Sequence, residues 1–162
     1  MTNQIDIVRD YWEEESCGER YATTDGNLQE FYASETNTRY DLEPFILDFG
    51  KFETCTNKAV LEIGVGMGSD HSRIAQSNPK RLVGIDLTNR SIEHTCKRFD
   101  VLNLTSELQV EDAENSSFSD NTFDIVYSWG VLHHCSDTVK AVEEMLHVLK
   151  KGGIARLIIY YK

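Results

Sequence analysis

In "AVLEIGVGMGSDH", Ala59 to His71, an acid and three glycines follow an apolar run at two-residue intervals: Glu62, Gly64, Gly66 and Gly68. Glycines behind a strand let a backbone turn approach a ligand closely and adopt angles that a Cβ forbids. A pyrophosphate-binding turn spaces its glycines G-x-G-x-x-G and rests the anion on a helix N-terminus. Here the spacing is G-x-G-x-G, and a Glu62 carboxylate would repel a phosphate by about 1 kcal/mol or more. A ligand bearing an ammonium and a sulfonium would be attracted to the same place.

Other residues could complete such a site. Asp86 closes the next apolar run, about twenty residues beyond the glycines, where a carboxylate can accept both hydroxyls of a ribose. It could also cap a helix, although Thr88 is the better capping residue. Leu87 suits either the face of an adenine or ordinary burial. After a third apolar run, "EDAE" (111–114) offers three acids. Ser128 and Trp129 end a fourth run, and Trp129 reads as pocket wall or as core. His133 and His134 follow, on the side from which a second substrate should approach. An imidazole there, with an unperturbed pKa of about 6.5, can take a proton from a hydroxyl or an amine, which makes His133 the candidate general base. The alternatives are a His that packs, caps a loop or lines a pocket. A metal site with Cys135 lacks further ligands in the pattern, so none is expected.

These residues need elements to hold them. Short apolar runs predict strands at Ala59–Ile63, Arg81–Asp86, Glu107–Glu111, Phe123–Ser128 and Ile154–Tyr161. Helices are predicted at Ser69–Gln76, Asn89–Phe99 and Asp137–Leu149. In the last, Val139, Val142, Met145, Leu146 and Leu149 share a face, Asp137 caps the start and Gly152 follows the end. Strands alternating with helices predict a doubly wound parallel sheet, although "DAENSSFSDNT" shows no helix between the third and fourth strands. Residues 1–57 differ: they are polar with interleaved aromatics and read as an N-terminal helical cap on a core of residues 58–162. "DLEPFILDFG" reads as a short helix with Pro44 in its first turn and Gly50 at its stop. The aromatics exceed what an exposed extension needs, so Tyr11, Trp12, Tyr21 and Tyr40 are expected beside a pocket at the strands' carboxyl ends.

An ammonium and a sulfonium without phosphate is the charge pattern of S-adenosylmethionine. In order, "VLEIGVGMGSD", "VGIDLTNRSIE", "EDAENSSFSDNTFDIVYSWGVLHH" and "LKKGGIARLIIY" resemble the successive motifs of class I S-adenosylmethionine-dependent methyltransferases. They are most similar to the small-molecule branch that includes the quinone-precursor methyltransferases. The resemblance covers residues 58–161, with a weaker echo in "YDLEPFI". It implies a Rossmann-like α/β fold, S-adenosylmethionine as cofactor and a small-molecule methyl acceptor. It implies cofactor contacts at Glu62, Gly64, Val65, Gly66, Gly68, Asp86, Leu87, Asp112, Ala113 and Ser128. Asp112 would accept from the adenine amino group, the Ala113 amide would donate to the ring, and the Gly64 and Gly66 carbonyls would meet the methionine ammonium near Glu62. Trp129 and His134 would join the cap's aromatics around the acceptor. Methyl transfer from a sulfonium is an in-line displacement, so alignment can supply most of the acceleration and a base is not obligatory.

Composition narrows the partners. The 162 residues carry a formal charge of −11, which argues against a nucleic-acid partner. No apolar run approaches the ~18 residues of a membrane span. The polar start is not that of a signal peptide, and four scattered cysteines suit reduced thiols in the cytoplasm. Relatives in the resembling family continue past the fifth strand with a helix and an antiparallel hairpin, whereas this sequence stops at Lys162. The expected sheet therefore lacks that hairpin. The expectation is a fragment of a longer protein, or self-association through the C-terminal edge strand. A non-catalytic cofactor-binding module is the rival reading; a nucleotide-dependent oxidoreductase is disfavoured by Glu62 and the glycine spacing.

Overall fold

The apolar runs become the strands of one sheet. A computed structural model describes residues 4–23 and 26–160. The strands are β1 (Ala59–Ile63), β2 (Arg81–Asp86), β3 (Glu107–Val110), β4 (Phe123–Trp129) and β5 (Leu149–Ile158). They lie in the order β3-β2-β1-β4-β5, and every neighbouring pair is parallel. The chain leaves β1 toward β2 and later returns on the other side to β4. A crevice therefore opens between β1 and β4 at their carboxyl ends, where ligands bind in such sheets.

Alternation along the strands splits the core in two. Ala59, Leu61 and Ile63 of β1 enter one cluster with Val83, Ile85, Phe123 and Val126. Helix α6 (Thr138–Val148) covers that cluster with Ala141, Met145 and Val148. Val60 faces the other cluster, beneath α4 (Ser69–Gln76) and α5 (Asn89–Leu102), which contribute Ile74 and Phe99. The N-terminal segment forms α1 (Gln4–Glu14), α2 (Leu28–Leu42) and α3 (Phe45–Gly50), with short 3-10 turns at Glu19–Tyr21 and Phe52–Cys55. Ile46, Phe52 and Cys55 are part of the second cluster, so this segment shares the sheet's core.

Several expectations shift. The "DLEPFILDFG" stretch is the end of α2, a break and α3, because Pro44 keeps Glu43 out of the helical region (φ −128°, ψ 63°). Helix α5 runs three residues past Phe99 and stops on Asn103 in the left-handed conformation (φ 52°). Asp137 caps α6 by accepting from the Lys140 amide at 3.0 Å. The buried stripe of α6 is nonetheless rotated from the expected one, leaving Val139 67% and Leu146 55% exposed while Ala141 is buried. Gly152 does not stop the helix. α6 passes directly into β5, whose register against β4 jumps from Phe123↔Leu149 to Ile125↔Ile154, and Gly152 (φ 76°) lies in that irregularity. Tyr161, the expected end of β5, and Lys162 lie outside the described residues.

Ion pairs fasten the cap. Arg98 of α5 bonds Glu35 and Thr36 of α2, and Arg39 of α2 bonds Asp70 of α4. Arg90 at the start of α5 grips Glu19 with two nitrogens, at 2.7 and 2.6 Å. The Glu13 carboxylate accepts from the Asn89 and Arg90 amides, capping α5 from another element.

Two outcomes follow for stability. In chemical denaturation, Val139→Lys should change stability by no more than about 0.5 kcal/mol. Ala141→Leu should cost about 1–3 kcal/mol by overpacking; equal effects would refute the rotated stripe. The Arg90 contact holds Glu19 down at about 2, against an ordinary 4.5. A depressed carboxylate stabilises fully above its unfolded pKa, and that contribution disappears as pH falls through the folded one. The urea midpoint should therefore drop less in Glu19→Gln than in the parent between about pH 4.5 and about pH 2.

Candidate functional site

The turn after β1 is pinned from several sides. The Gly64 and Val65 amides donate to the Ile85 carbonyl at 2.8 and 3.2 Å, tying it to β2. Gly64 sits at φ +81°, and a Cβ there would fall 2.2 Å from a Val131 methyl. Only glycine fits that position. Thr95 donates to the Gly66 carbonyl at 3.2 Å and Arg98 to the Met67 carbonyl at 2.7 Å. The Gly66 carbonyl expected to meet a ligand ammonium is thus turned toward α5.

The turn opens onto a cleft holding about 1060 Å³ of empty space, part of it open to solvent. Glu62, Gly64, Val65 and Gly66 form its floor, with Asp86, Leu87, Asp112 and Ala113 along one side. Trp129, Val131 and His134 stand opposite, and Ile5, Val8 and Trp12 of α1 cover it. Helix α1 therefore lies at the carboxyl ends of the strands.

The acids divide by what already holds them. Asp86 accepts from the Gly66 amide at 3.1 Å through one oxygen, and from the Thr88 amide and hydroxyl at 3.1 and 2.9 Å through the other. Burial raises its pKa and these bonds oppose the rise. Thr88 in turn caps α5 through Ser91. In "EDAE", Glu111 is held by Ser117 and Glu114 by the Asp137 amide. All three acids line the cleft; Asp112 makes only a short-range turn bond, accepting from the Glu114 amide at 2.8 Å. Glu62 is fully buried and contacts His71 Nδ1 at 2.8 Å. Burial, and then the nearby Asp70 charge, push its pKa well above the carboxylate range.

Other expected residues lie elsewhere. Ser128 is completely buried and donates to the Ile63 carbonyl at 3.1 Å, joining β4 to β1 inside the sheet. Gly68 starts α4 behind the turn, where a Cβ would meet Thr95. Tyr11 is 62% exposed and packs edge-on to Trp12 on its outer side. Tyr21 is half-buried near Gly18, away from the cleft wall. Tyr40 turns inward and donates to Asp70 at 3.0 Å. His133 borders an adjoining outer recess with Gln4, Ile159 and Tyr160, whereas its neighbour His134 meets Trp12 edge-on at 5.2 Å in the cleft. The two imidazoles nonetheless pack together, with ring centroids 4.0 Å apart, and of the pair it is His134 that lines the cleft.

Sequence reasoning missed Glu35, Arg39 and Asp70, which also border the cleft. Asp70 is buried and accepts from Arg39 at 2.9 Å, Tyr40 at 3.0 Å and Tyr127 at 2.8 Å, joining α2 and β4 to α4. An acid in a helix's first turn right after the glycines was the available signal; its partners in α2 were not legible. Among the described residues, no group of three or more His, Cys, Asp or Glu side chains is placed to hold a metal ion.

The comparisons agree with this geometry. A family described as "Methyltransferase domain" matches residues 60–153. Phosphoethanolamine N-methyltransferase 1 of Arabidopsis thaliana is 31% identical over 58% of this chain and 19% of its own length. The 2-methyl-6-phytyl-1,4-hydroquinone methyltransferase of Synechocystis is 30% identical over 59% of this chain and 30% of its own. The chain thus spans less than a third of either curated relative. The crystal structure of the YcgJ protein from Bacillus subtilis superposes with a TM-score of 0.68 and 28% identity, over 74% of this chain and 51% of that one. With more than half its length matched, the chain belongs to the class I S-adenosylmethionine-dependent methyltransferase family.

Proposed function

We propose that this chain forms the cofactor-binding part of a methyltransferase that acts on a small, largely apolar acceptor. The observation that carries the reading is the charge of the cleft. Glu62, Asp70, Asp86 and Asp112 line it, and among the described residues its one Lys or Arg is Arg39, already paired with Asp70. A dinucleotide pyrophosphate finds no free countercharge there, whereas an ammonium and a sulfonium do. The Gly64 turn, where a Cβ cannot fit, supplies a close backbone surface for the same ligand.

Bound S-adenosylmethionine supplies an electrophilic methyl group on a sulfonium. Asp86 would hold its ribose hydroxyls, Asp112 and the Ala113 amide its adenine, and Glu62 its ammonium. On the acceptor side Ile5, Val8, Trp12, Trp129 and Val131 exclude water and orient an apolar ligand, and His134 is the imidazole placed beside it. Among the described residues this wall holds no Lys or Arg besides Arg39.

No helix among the described residues is long and apolar enough to cross a membrane, and no disulfide joins the four cysteines. Both features suit work in the cytoplasm. Strand β5 is an edge of the described sheet, with Ile154, Ile159 and Tyr160 exposed, and we read it as the face that pairs with further chain or with a second copy.

Calorimetry should detect S-adenosylhomocysteine binding and no NADH binding. Asp86→Ala should weaken that binding by about 1.5–3 kcal/mol, the scale of hydrogen bonds to a charged group. Gly66→Val, which adds a branched side chain at φ +52° in the cleft floor, should weaken it further. Unchanged affinity in a folded Asp86→Ala protein would remove the ribose assignment. Residues 1–162 alone should bind cofactor with little turnover and self-associate on size exclusion; robust turnover by a monomer would refute both expectations.

A further inference from the structure

Behind the cleft floor is a polar chain that the reaction itself does not need. Glu62 Oε2 lies 2.8 Å from His71 Nδ1, and His71 Nε2 lies 2.7 Å from Ser106 Oγ. Ser106 stands just before β3 and donates its hydroxyl proton to the Leu82 carbonyl at 3.0 Å. His71 is 0% exposed and packs on Phe99 with ring centroids 5.1 Å apart. Gly84 of β2 makes room for it: a Cβ there would fall 2.7 Å from the imidazole Cε1. The fold has therefore cleared space on β2 to seat an imidazole between the cleft and the β3 edge.

Hydrogen-bond direction fixes the protons in this arrangement. A serine hydroxyl has one proton, and Leu82's carbonyl can only accept. Ser106 therefore accepts from His71 Nε2–H. Nδ1 of a neutral imidazole is then an acceptor, and the proton in the Glu62 contact belongs to the Glu62 carboxyl. Burial acts the same way, raising Glu62 and holding His71 down at about 3. Facing Glu62 are Asp70 of α4, Arg39 of α2 and Asp86 at the end of β2, with Tyr127 of β4 and Cys55 also near; Asp70 also faces His71. The contact uses Oε2 of Glu62 and leaves Oε1 for the cleft that Glu62 lines.

We propose that His71 is the positioning residue of Glu62, and that with Ser106 it releases the Glu62 proton to solvent when the cofactor's ammonium occupies the cleft. This rests on the cofactor reading above. The steps balance. The Glu62 O–H bond breaks as Nδ1–H forms; the Nε2 proton passes to Ser106 Oγ, whose own proton leaves to water. Ser106 then donates to Nε2. One proton is lost, the imidazole stays neutral with its tautomer exchanged, and Glu62 becomes the anion that the ammonium requires. Half-buried Ser106, at the outer end of the relay, is where it reaches water.

Two measurements on the whole chain test this. Nitrogen NMR of ¹⁵N-histidine-labelled protein should show His71 as the Nε2–H tautomer without ligand and as the Nδ1–H tautomer with S-adenosylhomocysteine. Calorimetry of the same ligand in buffers of different ionisation enthalpy should give about one proton released per molecule bound at neutral pH. In Ser106→Ala, at a half-buried site that tolerates truncation, the ligand-free tautomer should move toward Nδ1–H and proton release should fall below half. Glu62→Gln should abolish release. A ligand-free His71 that is already Nδ1–H or imidazolium overturns the proposal whether or not ligand binds. Binding with no proton release overturns it and leaves the cofactor reading standing, whereas absence of binding with the expected ligand-free tautomer overturns the cofactor reading.

Discussion

The Arg98 guanidinium is the constraint on which the cleft depends. It is 2% exposed, donates to the Met67 carbonyl of the glycine turn at 2.7 Å and to Thr36 at 2.6 Å, and pairs with the buried Glu35 carboxylate. The Tyr32 ring lies 4.8 Å from its centre. One cation thus holds the turn after β1, the cap helix α2 and its own helix α5 in a fixed relation. Burial lowers its pKa, and only the surrounding acceptors make the charge tolerable there. Breaking such a buried pair on one side typically costs about 3–5 kcal/mol, because the remaining charge stays buried.

The same economy governs the acids. A cleft meant for a cationic ligand must hold carboxylates, yet unpartnered carboxylates in a partly dry crevice repel each other and resist burial. The fold resolves this by giving each acid a different partner. Asp70 is paired with Arg39 and two tyrosine hydroxyls, Asp86 with the amides of Thr88 and the glycine turn, and Glu62 with the neutral His71 imidazole. The N-terminal helices take part in this: Arg39 of α2 pairs with Asp70 at the cleft, and Trp12 and Val8 of α1 add apolar lining.

Much of the frame was legible in the sequence because it follows local rules. Strand positions came from short apolar runs and α5 from the Thr88 cap; β1 to β4, α4 and α5 fall where expected within a few residues, whereas β5 starts at Leu149 rather than at the expected Ile154. The rotated face of α6 shows the limit. Val139 and Leu146 satisfy a helical period as well as Ala141 and Val148 do, and only the sheet beneath decides which stripe is buried. Gly152 shows it again, since a glycine after a helix and a glycine in a strand irregularity are the same letter.

For the site, the sequence by itself determined the kind of ligand chemistry. An acid before three alternating glycines, a second acid at the end of β2 and a third after β3 disfavour a pyrophosphate without any tertiary information. What tertiary structure alone decided is which side chains line the cleft. Ser128 is spent inside the sheet, Tyr40 on Asp70, and His133 borders an outer recess while His134 lines the cleft. Arg39, Glu35 and His71 drew no notice as letters. Their significance comes from partners 31, 63 and 9 residues away, namely Asp70, Arg98 and Glu62. Direction of a side chain and long-range charge pairing are properties of packing, and no period or spacing in the chain encodes them.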